Sequence, residues 1–260
     1  MKLKDILKTI ENEIPLSLQC DWDHSGLQCG NRNAEIKKVM IAVDATDAVI
    51  SQAVEQEVDL LLTHHPLIFK SVRDITDTDP TGRKVLRLVE NHIACYSMHT
   101  NYDVKWMGTV AALKLKLTNI TVLEQTEEYE NEKVGIGAVG LLQKQMTLSA
   151  CAEEVKKAFH VDAVRVYGDL KKKSKVAAIC PGSGKGMAEM ALEKSADVLI
   201  TGDIGHHDGL DATEEGLAII DAGHYGIEKI YVEGMKNFVK KAFPELVIAK
   251  SKNEEPFVTI

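Results

Sequence analysis

Short apolar runs recur along the chain, separated by stretches with helical spacing. Lys38-Val39-Met40-Ile41-Ala42-Val43-Asp44 reads as a strand. Ala48 to Glu57 then places Val49, Ala53 and Val54 on one helical face, and Val58 to Thr63 is a second strand. A strand-helix-strand unit of this size predicts parallel pairing and a right-handed crossover. The succession repeats downstream. Lys175 to Cys180 is strand-like, Gly182 to Gly186 a glycine-rich turn, Met187 to Lys194 a helix, and Asp197 to Thr201 the next strand.

Laid over each other, Lys38-Val39 matches Lys175-Val176, and Asp59 to Thr63 matches Asp197 to Thr201. This is the pattern of an internal duplication. The expected fold is therefore α/β, with two related lobes and mixed sheets. Residues 1–125 plus 229–260 would form the first lobe, and 126–228 the second. The polar stretch Glu124 to Lys133 reads as the crossover between them. Val134 to Gly140 opens a strand whose glycines allow close backbone approach. Leu148 to Phe159 fits an amphipathic helix, and after Glu228 a further helix runs to about Lys241. Leu246-Val247-Ile248 and Pro256 to Thr259 are candidate edge strands.

The apolar runs end in side chains that bind metals. Thr63-His64-His65-Pro66 follows one, His99-Thr100-Asn101-Tyr102-Asp103 another, and Asp221-Ala222-Gly223-His224 a third, with Glu228 one helical turn beyond His224. Each has a plain structural role when taken alone. Paired histidines can cap a strand end, Asp103 can brace a turn, and His224 with Glu228 can be an exposed helical pair. Together, three imidazoles and two carboxylates at strand ends point to one crevice at the carboxyl edge of a sheet. Such a set suits divalent transition metals and has members enough for two. It does not separate zinc, iron, manganese or nickel. Neighbouring side chains on an extended chain point apart, so His64 and His65 would serve two different ions. His99 and His207 are candidates for proton transfer or for supporting a ligand, and His206 lies in the same cluster as His207. Cys180 to Gly186 fails the phosphate-loop spacing, because Gly186 and not Ser or Thr follows Lys185.

Composition narrows the classes. The net charge of −8 argues against a nucleic-acid coat or an anionic-membrane binder. No apolar stretch approaches the roughly 18–20 residues that span a bilayer. Met1 to Leu7 reads as an amphipathic helix rather than a signal peptide. Five scattered cysteines with no Cys-x-x-Cys pair fit reduced thiols in a cytoplasmic protein.

Asp21-Trp22-Asp23-His24-Ser25-Gly26-Leu27, His-His-Pro at 64–66, His-Thr-Asn-x-Asp at 99–103, Thr-Gly-Asp-x-x-His-His at 201–207 and Gly-His-Tyr-x-x-Glu at 223–228 together resemble the motifs of the Nif-three-like family, often labelled GTP cyclohydrolase 1 type 2 homologues. The resemblance covers essentially the whole chain, and His24 stands where the family usually has asparagine. It implies two α/β lobes with a dinuclear metal site in the cleft between them, and ligand roles for His64, His65, Asp103, His224 and Glu228. It also implies a ring-shaped homohexamer, a trimer of dimers. The activity implied is hydrolysis of a nucleotide-like substrate, with a metal-bound hydroxide opening the guanine imidazole ring of GTP. A metal-dependent ring that serves as a scaffold or regulatory partner, even one associated with nucleic acid, is the alternative.

Overall fold

The computed structural model describes residues 1–252 and 255–257. The chain begins with α1 (Leu3–Glu13), β1 (Gly26–Cys29), β2 (Lys38–Ala42), α2 (Asp47–Glu55), β3 (Leu60–Thr63), α3 (Pro80–Glu90), β4 (Ala94–Ser97) and the single turn α4 (Thr100–Tyr102). A π-helical turn, Asp103–Met107, leads into α5 (Gly108–Lys114), β5 (Thr118–Tyr129), β6 (Glu132–Thr147), α6 (Leu148–Phe159), β7 (Arg165–Tyr167) and β8 (Lys173–Ser183). Then come α7 (Met187–Glu193), β9 (Val198–Gly202), α8 (His206–Glu214), β10 (Ala218–Asp221), α9 (His224–Glu228), α10 (Ile230–Ala242) and β11 (Val247–Ile248). Among the described residues no helix is long and apolar enough to cross a membrane.

The chain divides into two compact units. One holds Met1–Tyr102 and the described part of Tyr231–Glu254; the other holds Asp103–Ile230 and the described part of Glu255–Ile260. The first unit carries a five-stranded sheet in the order β1-β4-β3-β2-β11. Strands β4, β3, β2 and β11 pair in parallel and β1 joins antiparallel to β4. The second unit carries a six-stranded sheet in the order β5-β6-β8-β9-β10-β7, in which only β8, β9 and β10 are parallel. Both sheets are mixed, as the sequence pattern implied.

Two boundaries differ from expectation. Glu124 to Lys133 is not a crossover between lobes, because β5 and β6 form a long antiparallel hairpin that turns at Glu130 and Asn131. Its polar residues reflect an exposed hairpin end. Residues 103–125 therefore group with the second unit rather than the first. Strand β3 also starts two residues later than the apolar run. The Val58 N–H still donates to the Ala53 carbonyl of α2, and Glu57 takes a left-handed φ of 51°. Val247–Ile248 is the expected edge strand. Pro256 and Phe257 lie in a bend, and Val258 and Thr259 fall outside the described residues.

The repeated sequence segments fold alike within each unit. In the first, the Asp59 carboxylate accepts from the N–H groups of Lys37 and Lys38, both at 2.8 Å. In the second, Asp197 accepts from Lys175 and Val176 at 2.7 and 2.9 Å. Ser195 repeats the left-handed turn of Glu57 with φ 55°, and the Ala196 N–H repeats the Val58 closure by donating to Ala191. Each aspartate thus satisfies donors at the mouth of a parallel strand pair, where the ladder has no partner for them.

Packing holds each parallel core. Met40, Val49, Ile50, Ala53, Leu61, Leu88 and Ile93 cluster beneath α2 and α3 in the first unit. Leu199, Ile219, Ala178, Ala191 and Leu217 form a cluster in the second. Leu61 is fully buried. Leu61→Ala is expected to cost about 2–5 kcal/mol, lost contact and residual cavity together, read as a lower urea midpoint for the unit.

Candidate metal centre

In the first unit the ligand-type residues stand at the carboxyl ends of three adjacent parallel strands. Asp44 follows β2, His64 and His65 follow β3, and His99 follows β4. This edge of a parallel sheet is where the strand exits diverge and leave room for a site.

The His64 and His65 rings do not point apart. Their centroids lie 4.9 Å from each other. The N–H groups of both residues donate to the Val43 carbonyl, at 3.1 and 3.0 Å. Two residues on one chain thus face a single acceptor on the other, and such an irregularity re-aims a side chain at a strand end. His99 joins them, with one ring nitrogen from each of His64, His65 and His99 lying within 4.8 Å of the others.

Each ring is held by its Nδ1. His64 Nδ1 donates to the Met98 carbonyl at 2.8 Å, His65 Nδ1 to Asp44 Oδ1 at 2.8 Å, and His99 Nδ1 to Asp23 Oδ1 at 2.8 Å. An oxygen acceptor on Nδ1 orients the ring, and metal-binding histidines are commonly held in this way. The Asp23 side chain is fully buried beside a ring that is 15 % exposed. Burial alone would raise its pKa, but hydrogen bonds from His99 and Thr100, and the His99 charge, outweigh that and hold it well below the usual carboxylate range.

The second unit repeats the device at the ends of β8, β9 and β10. Asp203 follows β9 and accepts from His224 Nδ1 at 2.8 Å. His224 Nε2 lies 3.1 Å from Glu228 Oε2, one turn along α9. Buried Asp221 fixes the loop before His224 by accepting from Gly223 N–H at 2.9 Å, Ile204 N–H at 3.1 Å and Arg165. The thiol of Cys180, near the end of β8, is pushed up by burial and then by the nearby carboxylates of Asp103 and Glu228. Asp103 is the first residue of the π-helical turn, a local irregularity often found at functional sites.

Gly182 lies on the same strand end with φ 81°. A methyl group there would press into the Glu228 carboxylate and approach His224. The glycine turn singled out in the sequence is therefore a close approach to the ligand pair. His207 stands exposed in the first turn of α8 against His206, their ring centroids 5.2 Å apart. Among the described residues it joins no group of three potential ligands.

The donor set fits a divalent transition metal: imidazole nitrogens oriented by oxygen acceptors, with a buried carboxylate close to one of them. Asp44 and Asp203 were not legible as ligand supports, although both occupy the strand-end positions that the ligands themselves occupy. Asp44→Asn is expected to weaken metal binding about 10–100-fold without unfolding the protein, measured by competition with a chromogenic chelator.

Comparison with known proteins places these observations. The chain is 34% identical over 264 residues to a GTP cyclohydrolase 1 type 2 homolog of Clostridium acetobutylicum, covering 99% of this chain and 98% of the relative. It is 35% identical to a protein of the same name from Clostridium perfringens, covering 99% of each. Among solved structures, a hypothetical protein of Staphylococcus aureus superposes with a TM-score of 0.93 at 29% identity, covering 100% of this chain and 99% of the other. Reduced HcgD from Methanocaldococcus jannaschii does so with a TM-score of 0.81 at 33% identity, covering 95% and 96%. The profile of the Duf34/NIF3 (NGG1p interacting factor 3) family matches residues 1–256, and the chain belongs to that family.

Proposed function

We propose that the protein is a hydrolase dependent on two divalent transition-metal ions held in a cleft between its lobes. His64 and His65 supply ligands from one lobe, and Asp103, His224 and Glu228 from the other. The observation that carries this reading is the gathering of ligand-type groups: one ring nitrogen from each of His64, His65 and His99 lies within 4.8 Å of the others, and in the second unit His224 Nε2 lies 3.1 Å from Glu228 Oε2. Divalent ions at such a set lower the pKa of water and stabilise negative charge that develops on a substrate.

The chain's own residues supply the rest. His99 takes up and returns a proton at Nε2, while Asp23 holds the ring and stabilises its cationic form. Asp23 does this because its carboxyl is held well below the usual carboxylate range. Exposed His207 carries protons to bulk solvent. The substrate is nucleotide-like, a reading supported by the cyclohydrolase name of the relatives. The expected assembly is a cytoplasmic homohexamer built as a trimer of dimers, and a light-scattering mass other than that of six chains would overturn it.

The test begins with metal analysis of protein purified without chelator, followed by a panel of nucleotides and phosphoesters. Turnover by metal-loaded protein above a His65→Ala control is expected. Its absence at every substrate sinks the enzyme reading. It would leave the second reading, a metal-dependent scaffold, which the family's description as an interacting factor favours.

A further inference from the structure

We propose that Trp22 and Phe69 form an aromatic platform that takes a planar nitrogen heterocycle beside His99. This deepens the hydrolase reading above and rests on it for what happens to the ring once bound. Trp22 is 64% and Phe69 50% exposed, large values for aromatic side chains. They are not scattered. Their ring centroids lie 6.2 Å apart, and those of Trp22 and Phe69 stand 5.8 and 6.1 Å from that of His99. All three rings meet edge to face, at interplanar angles of 65–76°. Each such contact sets one ring's edge on another's face, and the exposure of Trp22 and Phe69 leaves both with surface open to a ligand. Every nucleobase has a π-face, so such surfaces bind flat heterocycles with little regard to sequence or substituent.

The platform is braced from behind. Ile68, next to Phe69, is held at both backbone groups. Its N–H donates to Gln28 Oε1 at 3.1 Å, and its carbonyl accepts from the His24 ring at 3.1 Å. Gln28 Nε2 in turn donates to the His24 carbonyl at 2.9 Å. Trp22 is fixed through its neighbour Asp23, whose carboxylate accepts from Thr100 Oγ1 at 2.6 Å and Ser25 Oγ at 2.9 Å. His24, the residue that departs from the family's usual asparagine, is therefore the link between the Trp22 segment and the Phe69 segment. Two exposed rings held this way lose little freedom when they bind, which favours a small rigid ligand.

Phe69 also lines a cavity of about 620 Å³ shared with Leu67, Lys70, Arg73, Thr76 and Thr81. Ligand pockets commonly have this size. Its lining also holds two cations, Lys70 and Arg73, and two carboxylates, Asp74 and Asp79, the latter already occupied in capping α3. The balance of charge is near neutral, so the flat ring rather than a charged tail dominates recognition.

Equilibrium dialysis of the full-length protein tests this, with guanosine monophosphate as the flat probe and ribose 5-phosphate as the probe without a ring. Runs on metal-loaded and on metal-free protein separate the platform from the metal centre. Trp22→Ala and Phe69→Ala are each expected to weaken guanosine monophosphate binding by about tenfold or more, leaving ribose 5-phosphate binding and metal content unchanged. His24→Ala, which loosens the brace but removes no stacking surface, is expected to give a smaller loss of the same kind. Wild-type affinity in Trp22→Ala, or no measurable binding by the wild-type protein in either metal state, overturns the proposal. So does a loss of metal from Trp22→Ala, which would make Trp22 a support for His99. A changed oligomeric state with unchanged nucleotide affinity overturns it too, and identifies the face as a contact between copies. If the protein holds no metal yet Trp22→Ala still loses the ring ligand, the platform stands and the hydrolase reading falls.

Discussion

His64→Ala is expected to strip the protein of at least one of its metal ions. His64 is fully buried, its Nδ1 is committed to the Met98 carbonyl, and its neighbours His65 and His99 converge on the same space. Removing a direct ligand costs more than the about 10–100-fold expected for a supporting carboxylate. Metal analysis after gel filtration should show about one ion per chain lost, or both if the sites are coupled. The variant also leaves a small buried hole, so its circular dichroism spectrum and urea midpoint belong beside the metal count. His64→Gln fills much of that hole. A wild-type metal content in both variants removes His64 from the ligand set.

Gly182→Ala should do comparable damage with no donor atom removed. The position has φ 81°, where an alanine costs about 1–3 kcal/mol, and its methyl would press into Glu228. Glu228 is 3% exposed, and it yields only by swinging away from His224, 3.1 Å distant. The expected result is a lower urea midpoint together with reduced metal content. A destabilised protein with full metal content would show that strain acts and that the Glu228 position does not matter. Full stability and full metal content would remove both arguments.

Much of this arrangement was legible in the sequence because its signals are local. Short apolar strands such as Leu60–Thr63 and Val198–Gly202 are buried at every position and read as continuous runs. The ligand-type residues follow such runs directly, so strand ends marked the site. What the sequence hid depends on contacts between distant segments. The role of Asp23 follows from a hydrogen bond to a histidine 76 residues away. The Asp44 contact with His65 spans 21 residues, and nothing in the spacing distinguishes it from a turn aspartate. The β5–β6 hairpin was misread because its exposed polar end has the composition of a linker. The convergence of His64 with His65 arises from a shared backbone acceptor, which an alternating strand pattern does not reveal.

Val247 and Ile248 pair with Lys38 and Val39, so the first sheet borrows its outer strand from the far end of the chain. On the ribosome the whole Asp103–Ile230 unit emerges before that strand exists. Until residue 248 is made, the β2 margin offers an open row of hydrogen-bonding groups to any passing strand. The nascent protein is therefore most exposed to mispairing late in synthesis, after Asp103–Ile230, the bulk of its second unit, has emerged.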